Sequence, residues 1–105
     1  MVNSIEKGKR GEREFASFLR SHGIESKRGQ QYSGGQDSPD VIVPAHLKLH
    51  FEVKRVERLQ LYQAMSQAIR DSGSNTPVVA HKKNRSDWLV VLRAEDFLKL
   101  IEKKG

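Results

Sequence analysis

The chain has 105 residues, 36% hydrophobic and 30% charged, with a formal net charge of +6 and no cysteine. That size supports one domain with one modest core and excludes two, and the absence of cysteine excludes disulfide frameworks and thiolate metal sites. The longest apolar run is too short to span a bilayer, and a pI near 9.8 favours a polyanionic partner, nucleic acid before anionic membrane.

The opening stretch "MVNSIEKGKRGERE" lacks the apolar run of a secretory signal, so the expectation is a cytoplasmic protein. Residues 4–22, "SIEKGKRGEREFASFLRSH", predict a helix with Ser4 as N-cap, Glu6 in the first turn and Gly23 as the stop. At about 100° per residue, Ile5, Phe15, Ala16, Phe18 and Leu19 gather on one face, while Gly8 and Gly11 weaken the first half. "IESKR" at 24–28 predicts a short strand. "GQQYSGGQDSP" at 29–39 predicts a loop without the G-K-[ST] ending of a phosphate-cradling glycine loop.

Two strands follow at 40–43 and 47–54, joined by a turn that includes Pro44. Residues 57–72 show helical spacing through Leu61, Met65, Ala68 and Ile69. Residues 76–82 and 87–93 predict two more strands around a basic loop, and 94–104 a closing helix. The order α-β-β-β-α-β-β-α describes one α/β domain, 1–105, with a central sheet flanked by helices and no internal repeat or linker.

The strands at 40–43 and 47–54 carry charge where a core would prefer apolar groups. In an antiparallel hairpin centred near His46, Asp40 and Glu52 are equidistant from the centre and face each other, roughly 4.5–5.5 Å apart at Cβ. Lys54 lies on the same face as Glu52, as does His50, while Val41, Val43, Leu49, Phe51 and Val53 form the core side. The pattern alone leaves two readings open: a solvated polar strand face, or a partly open site where two carboxylates share a hard cation. Mg²⁺ takes oxygen ligands at about 2.0–2.1 Å and can polarise a phosphoryl oxygen, and a lysine can hold the attacking water, so the second reading is a phosphodiester hydrolysis site. On the first helix Glu12 projects into the middle of the apolar stripe, where a carboxylate is costly without a partner. Either it is exposed near the glycine-containing half of the helix, or it is a third carboxylate aimed at the pair.

"KGKRGEREFASFLRSHG", then "SPDVIV", then "FEVK" resembles the PD-(D/E)xK nuclease superfamily, and within it the archaeal-type Holliday junction resolvases and their small phage and bacterial relatives. The matching positions are Lys7, Gly8, Glu12, Arg13 and Glu14, Pro39 and Asp40, Glu52, Val53 and Lys54, then Pro77, Val78 and Trp88. The resemblance implies a restriction-endonuclease-like core with a central mixed β-sheet. It implies that Asp40, Glu52 and the Val53 carbonyl bind Mg²⁺ or Mn²⁺, that Glu12 completes the acidic cluster directly or through water, and that Lys54 positions the nucleophile. Ser33, in competition with Ser38, and Arg28 fall in the loop that sets the scissile phosphate. After "FEVK" the chain departs from the archaeal type: an amphipathic helix replaces a basic extended segment, as in compact phage and prophage relatives.

Lys7, Lys9, Arg10 and Arg13, then Arg55 and Arg58, then His81, Lys82, Lys83 and Arg85 form basic clusters. Each alone reads as a solvated face; together beside a phosphodiester site they suggest a DNA-backbone surface. Gln67 is either an ordinary exposed helix residue or a group near the site. Trp88 reads as packing rather than a stacking platform, and the four histidines lack metal-ligand spacing. The expected activity is a Mg²⁺-dependent endonuclease acting on branched or duplex DNA, with junction resolution favoured and a homodimer expected by analogy. The rivals are another nickase, repair, recombination or packaging nuclease, an RNA-directed nuclease, and a DNA-binding module that has lost turnover.

Overall fold

Helix α1 spans Ser4–Ser21 in the computed structural model, which describes residues 4–29 and 38–102, with side chains from residue 7 onward. The expectations placed on Ile5, Glu6 and Ser33 therefore lie outside the described residues and side chains. The helix ends where Gly23 predicts. Its φ of +83° lets Gly23 N–H bond the Arg20 carbonyl and Ile24 N–H bond the Leu19 carbonyl, the paired closure that a left-handed residue after a helix permits.

Among the described residues five strands follow: β1 (Lys27–Arg28), β2 (Val41–Ile42), β3 (Leu49–Lys54), β4 (Thr76–His81) and β5 (Leu89–Val91). They form one mixed sheet in chain order, antiparallel except for the parallel β3–β4 pair. A parallel pair needs a crossover, and helix α2 (Leu61–Asp71) supplies it. Helix α3 (Ala94–Glu102) closes the described chain. The hairpin register is the one centred on His46: Val41 pairs with Phe51, and Asp40 N–H donates to the Phe51 carbonyl at 2.8 Å. The turn is a single 3₁₀ segment, Ala45–Leu47, closed by Lys48 in the left-handed region.

Alternation along the central strands sorts two cores. Phe15 and Ala16 of α1 pack on Val41, Phe51, Val53, Val78 and Ala80, with Trp88 and Leu92 at the margin. The Phe15 ring sits 5.1 Å from Phe51 and 4.8 Å from Trp88, so Trp88 is core packing, as its sequence setting suggests. On the other face, Ala64, Met65 and Ala68 of α2 cover Val79.

Of the two readings left open for the D/E/K face, the solvated strand surface falls away: β3 is the middle strand of the five described, and α2 covers its second face, so His50 and Glu52 are buried at 2% and 3% exposure. One boundary needs correction. Helix α2 begins at Leu61 rather than near residue 57, because Gln60 is non-helical and the Glu57 carboxylate is engaged by the Asn84 backbone N–H at 2.7 Å. Gly11 also has a use that helix propensity does not suggest. A Cβ there would lie 2.6 Å from the Arg55 Cβ, so glycine lets α1 cross close to the end of β3.

Candidate active site

The β2–β3 register brings Asp40 and Glu52 together at the start of β2 and near the end of β3. Asp40 is fixed by the segments on either side of it. Gly29 N–H donates to the Asp40 carbonyl, Asp40 N–H to Phe51, and the Val53 N–H reaches across to the Asp40 carboxylate oxygen Oδ2 at 2.8 Å. The Asp40 and Glu52 carboxyl groups share a hydrogen bond. Burial, then the neighbouring Glu52 charge, pushes the Asp40 carboxyl up to about 8 against the opposing Val53 N–H bond. His50, two residues before Glu52 on the same face, puts Nε2 3.3 Å from Glu52 Oε1, where an N–H on that nitrogen would donate.

Glu12 arrives from α1, the helix that covers the opposite face of the sheet. Its carboxylate is mostly buried and takes a hydrogen bond from Arg28 Nε at 2.9 Å. Burial raises its pKa, Arg28 opposes that, and the Glu52 charge adds to the rise. Glu12 therefore senses the pair through its charge, but among the described residues no three His, Asp or Glu side chains are gathered as the ligands of one metal ion. Lys54 follows Glu52 on the α2 side, half-buried, with no ion pair among the described residues. It lines a cavity of about 260 Å³ with Arg58, Gln60, Gln63 and Gln67. Gln67 thus lines the same cavity as the lysine.

The donor set suits a hard divalent cation. Two buried carboxylates in contact repel unless a proton or a cation lies between them, and oxygen donors match Mg²⁺ or Mn²⁺.

The basic residues do not form one free surface. Arg28 is held by Glu12. Arg55 donates to Glu14 at 3.0 Å and to the Lys82 carbonyl, and Lys82 Nζ lies 3.5 Å from Glu14. Lys7 and Arg10 border a cleft of about 170 Å³ with Glu14, Arg55 and Glu57. Lys9 acts on Glu12 by charge. Arg13 is exposed and has an interaction of its own. Lys83 and Arg85 are exposed in the β4–β5 turn.

Sequence reasoning missed the role of Arg28 as the partner of Glu12 and of Glu14 as the hub for Arg55 and Lys82. The first follows from the β1–β2 register, which pairs Arg28 with Val41 and turns it toward α1, a pairing that the sequence did not show. The second spans 41 residues between Glu14 and Arg55 and left no local trace.

The fold and the family match together make this a PD-(D/E)xK nuclease with a restriction-endonuclease-like core. A family model described as "Phage putative PDDEXK endonuclease" matches residues 3–104, and the chain belongs to that family. Among solved structures it is similar to a 1.6 Å structure of Archaeoglobus fulgidus Hjc, a Holliday junction resolvase from an archaeal hyperthermophile. The two share 25% identity with a TM-score of 0.60, over 82% of this chain and 72% of that one. No curated protein matches. Among the described residues no helix is long and apolar enough to cross a membrane.

Proposed function

We propose that residues 1–105 act as one divalent-metal-dependent, structure-selective DNA endonuclease, with Holliday junctions or other branched DNA as the preferred substrate. The observation that carries this reading is the buried Asp40–Glu52 pair beside an ammonium that pairs with no carboxylate among the described residues. The similarity to the Hjc resolvase supports the junction preference.

Asp40, Glu52 and the Val53 carbonyl would hold Mg²⁺ or Mn²⁺. Bound there, the ion supplies Lewis acidity toward a phosphoryl oxygen and stabilises charge on the leaving oxygen. Lys54 holds the attacking water and offsets negative charge as it grows on phosphorus; water adds, the P–O3′ bond breaks, and a 5′-phosphate remains. Val53 N–H keeps the Asp40 carboxylate in place and His50 does the same for Glu52. Glu12, held by Arg28, adds negative potential to the site from the other side of the sheet. Lys7, Lys9, Arg10, Arg13, Lys83 and Arg85 supply phosphate contacts; Ser33 remains a candidate for the scissile phosphate. Symmetrical cutting of two strands calls for two sites and hence a homodimer.

The test compares four-way junction, linear duplex and single-stranded DNA with Mg²⁺, Mn²⁺ or chelator, beside Glu52→Ala and Lys54→Ala. Junction-selective, metal-dependent cleavage lost in both variants is expected. Binding without cleavage points to an inactive DNA-binding module, and undiminished cleavage by either variant removes the site assignment.

A further inference from the structure

Helix α3 is placed with its apolar side outward. At about 100° per residue, Phe97, Leu98, Leu100 and Ile101 share one arc, and Glu95, Asp96, Lys99 and Glu102 share the other. In a lone domain the apolar arc would lie on the core. Here the one buried α3 side chain is Asp96, tied to Arg93 at 2.9 Å, while the four apolar residues stay 47% to 55% exposed. No α3 side chain belongs to either core cluster. The strand before it adds to the same surface: Leu89 and Val90 of β5 are more than half exposed, and β5 is the last strand of the sheet, with one edge unpaired among the described residues.

We infer that the β5–α3 face is the seat of a second copy of this chain. The six exposed side chains amount to on the order of 600 Å² of largely apolar surface, at the top of what a monomer's largest patch reaches and close to one partner's share of a standard interface. Charge argues against the other occupants. The chain carries +6 overall, yet α3 holds three acids and one base, and with Lys103 and Lys104 the segment 94–105 is balanced, so a polyanion gains nothing there. An anionic membrane surface favours helices with a basic polar face, which α3 lacks. A second copy is suited in both respects. In a two-fold antiparallel arrangement the acidic first turn at Glu95 meets the partner's Lys99 in the last turn, and a free β5 edge can pair with its own equivalent. If the sheets join there, β3 and its partner lie five strand spacings apart, on the order of 24 Å. In its use of two cutting sites the inference rests on the function proposed above; the face itself does not.

The absence of cysteine gives a direct test. Leu98→Cys, on the face, and Ser17→Cys, exposed on α1, are oxidised under identical conditions, and the wild type is weighed by light scattering at micromolar concentration. The inference expects twice 12.0 kDa for the wild type, a disulfide-linked dimer for Leu98→Cys and none for Ser17→Cys. Phe97→Glu with Ile101→Glu should halve the mass with unchanged circular dichroism, and Val90→Lys provides a second disruption should that pair fail to fold. A monomeric wild type, or equal cross-linking at both cysteines, overturns it. Because the readout is mass and not cleavage, a catalytically dead dimer refutes only the proposed function, and an active monomer only this interface.

Discussion

Replacing Asp40 with asparagine should make the metal-free protein more stable at neutral pH, although it removes a central acid of the site. The folded Asp40 carboxyl is raised from 3.8 to about 8, first by burial and then by Glu52. A raised acid favours folding fully below its unfolded pKa, and that contribution is lost as pH climbs toward the folded value. At pH 7 the unfolded aspartate has released its proton while the folded one still holds it. Three pH units at about 1.4 kcal/mol each bring the wild type down by on the order of 4 kcal/mol relative to acid conditions. Asparagine has no such slope. Its Oδ1 can still accept the Val53 N–H, and its amide can donate to Glu52. Glu12, also raised, adds a slope of the same sign in both proteins and cancels in the comparison. Urea unfolding in chelator from about pH 5 to about pH 8 should show Asp40→Asn gaining on the wild type throughout that window. Mg²⁺ should then restore the wild type most at the alkaline end, where binding no longer has to displace a proton, and leave the variant unmoved. Parallel pH curves for the two proteins would mean that Asp40 and Glu52 do not press on each other, and the cation site would lose its physical basis.

Lys54→Ala should lower cleavage by about 10²–10³ with unfolding midpoints unchanged, since its ammonium pairs with nothing among the described residues; single-turnover kinetics and urea titration together check this. Gly11→Ala should destabilise in spite of alanine's helix preference of about 1 kcal/mol, because the new Cβ meets Arg55 at 2.6 Å and overpacking costs about 1–3 kcal/mol. A higher urea midpoint for that variant would show that α1 can shift at no cost. Glu14→Ala should change stability by less than about 1 kcal/mol yet release Arg55 and Lys82, so DNA should bind more tightly and with a steeper salt dependence in anisotropy titrations.

The parts of the site visible in the sequence were those governed by short periods. Period-two alternation around His46 sufficed to set Asp40 opposite Glu52 and Lys54 beside it, and the β2–β3 register agrees. Gly23 marked the end of α1 for the same reason: the conformation needed there is local. Charge pairing is different. Glu12 meets Arg28 and Glu14 meets Arg55 only after the sheet has brought distant segments together, so basic clusters that look free along the chain are partly neutralised in space. The burial of Glu52 was hidden likewise, because it depends on which face the α2 crossover takes.

Helix α3 shows how far periodicity can be taken. Its spacing identifies an apolar arc and a polar arc, and the ordinary inference sends the apolar arc to the core. That inference assumes the domain must satisfy its own surface. With Asp96 buried and Phe97, Leu98 and Ile101 outside, the assumption fails at this element while it holds for α1 and α2, whose Phe15 and Ala68 are almost wholly covered. An amphipathic pattern fixes that a face must be covered and leaves open by what. An identical helix from a second copy, laid antiparallel, covers the apolar arc and sets the acidic first turn against the partner helix's Lys99.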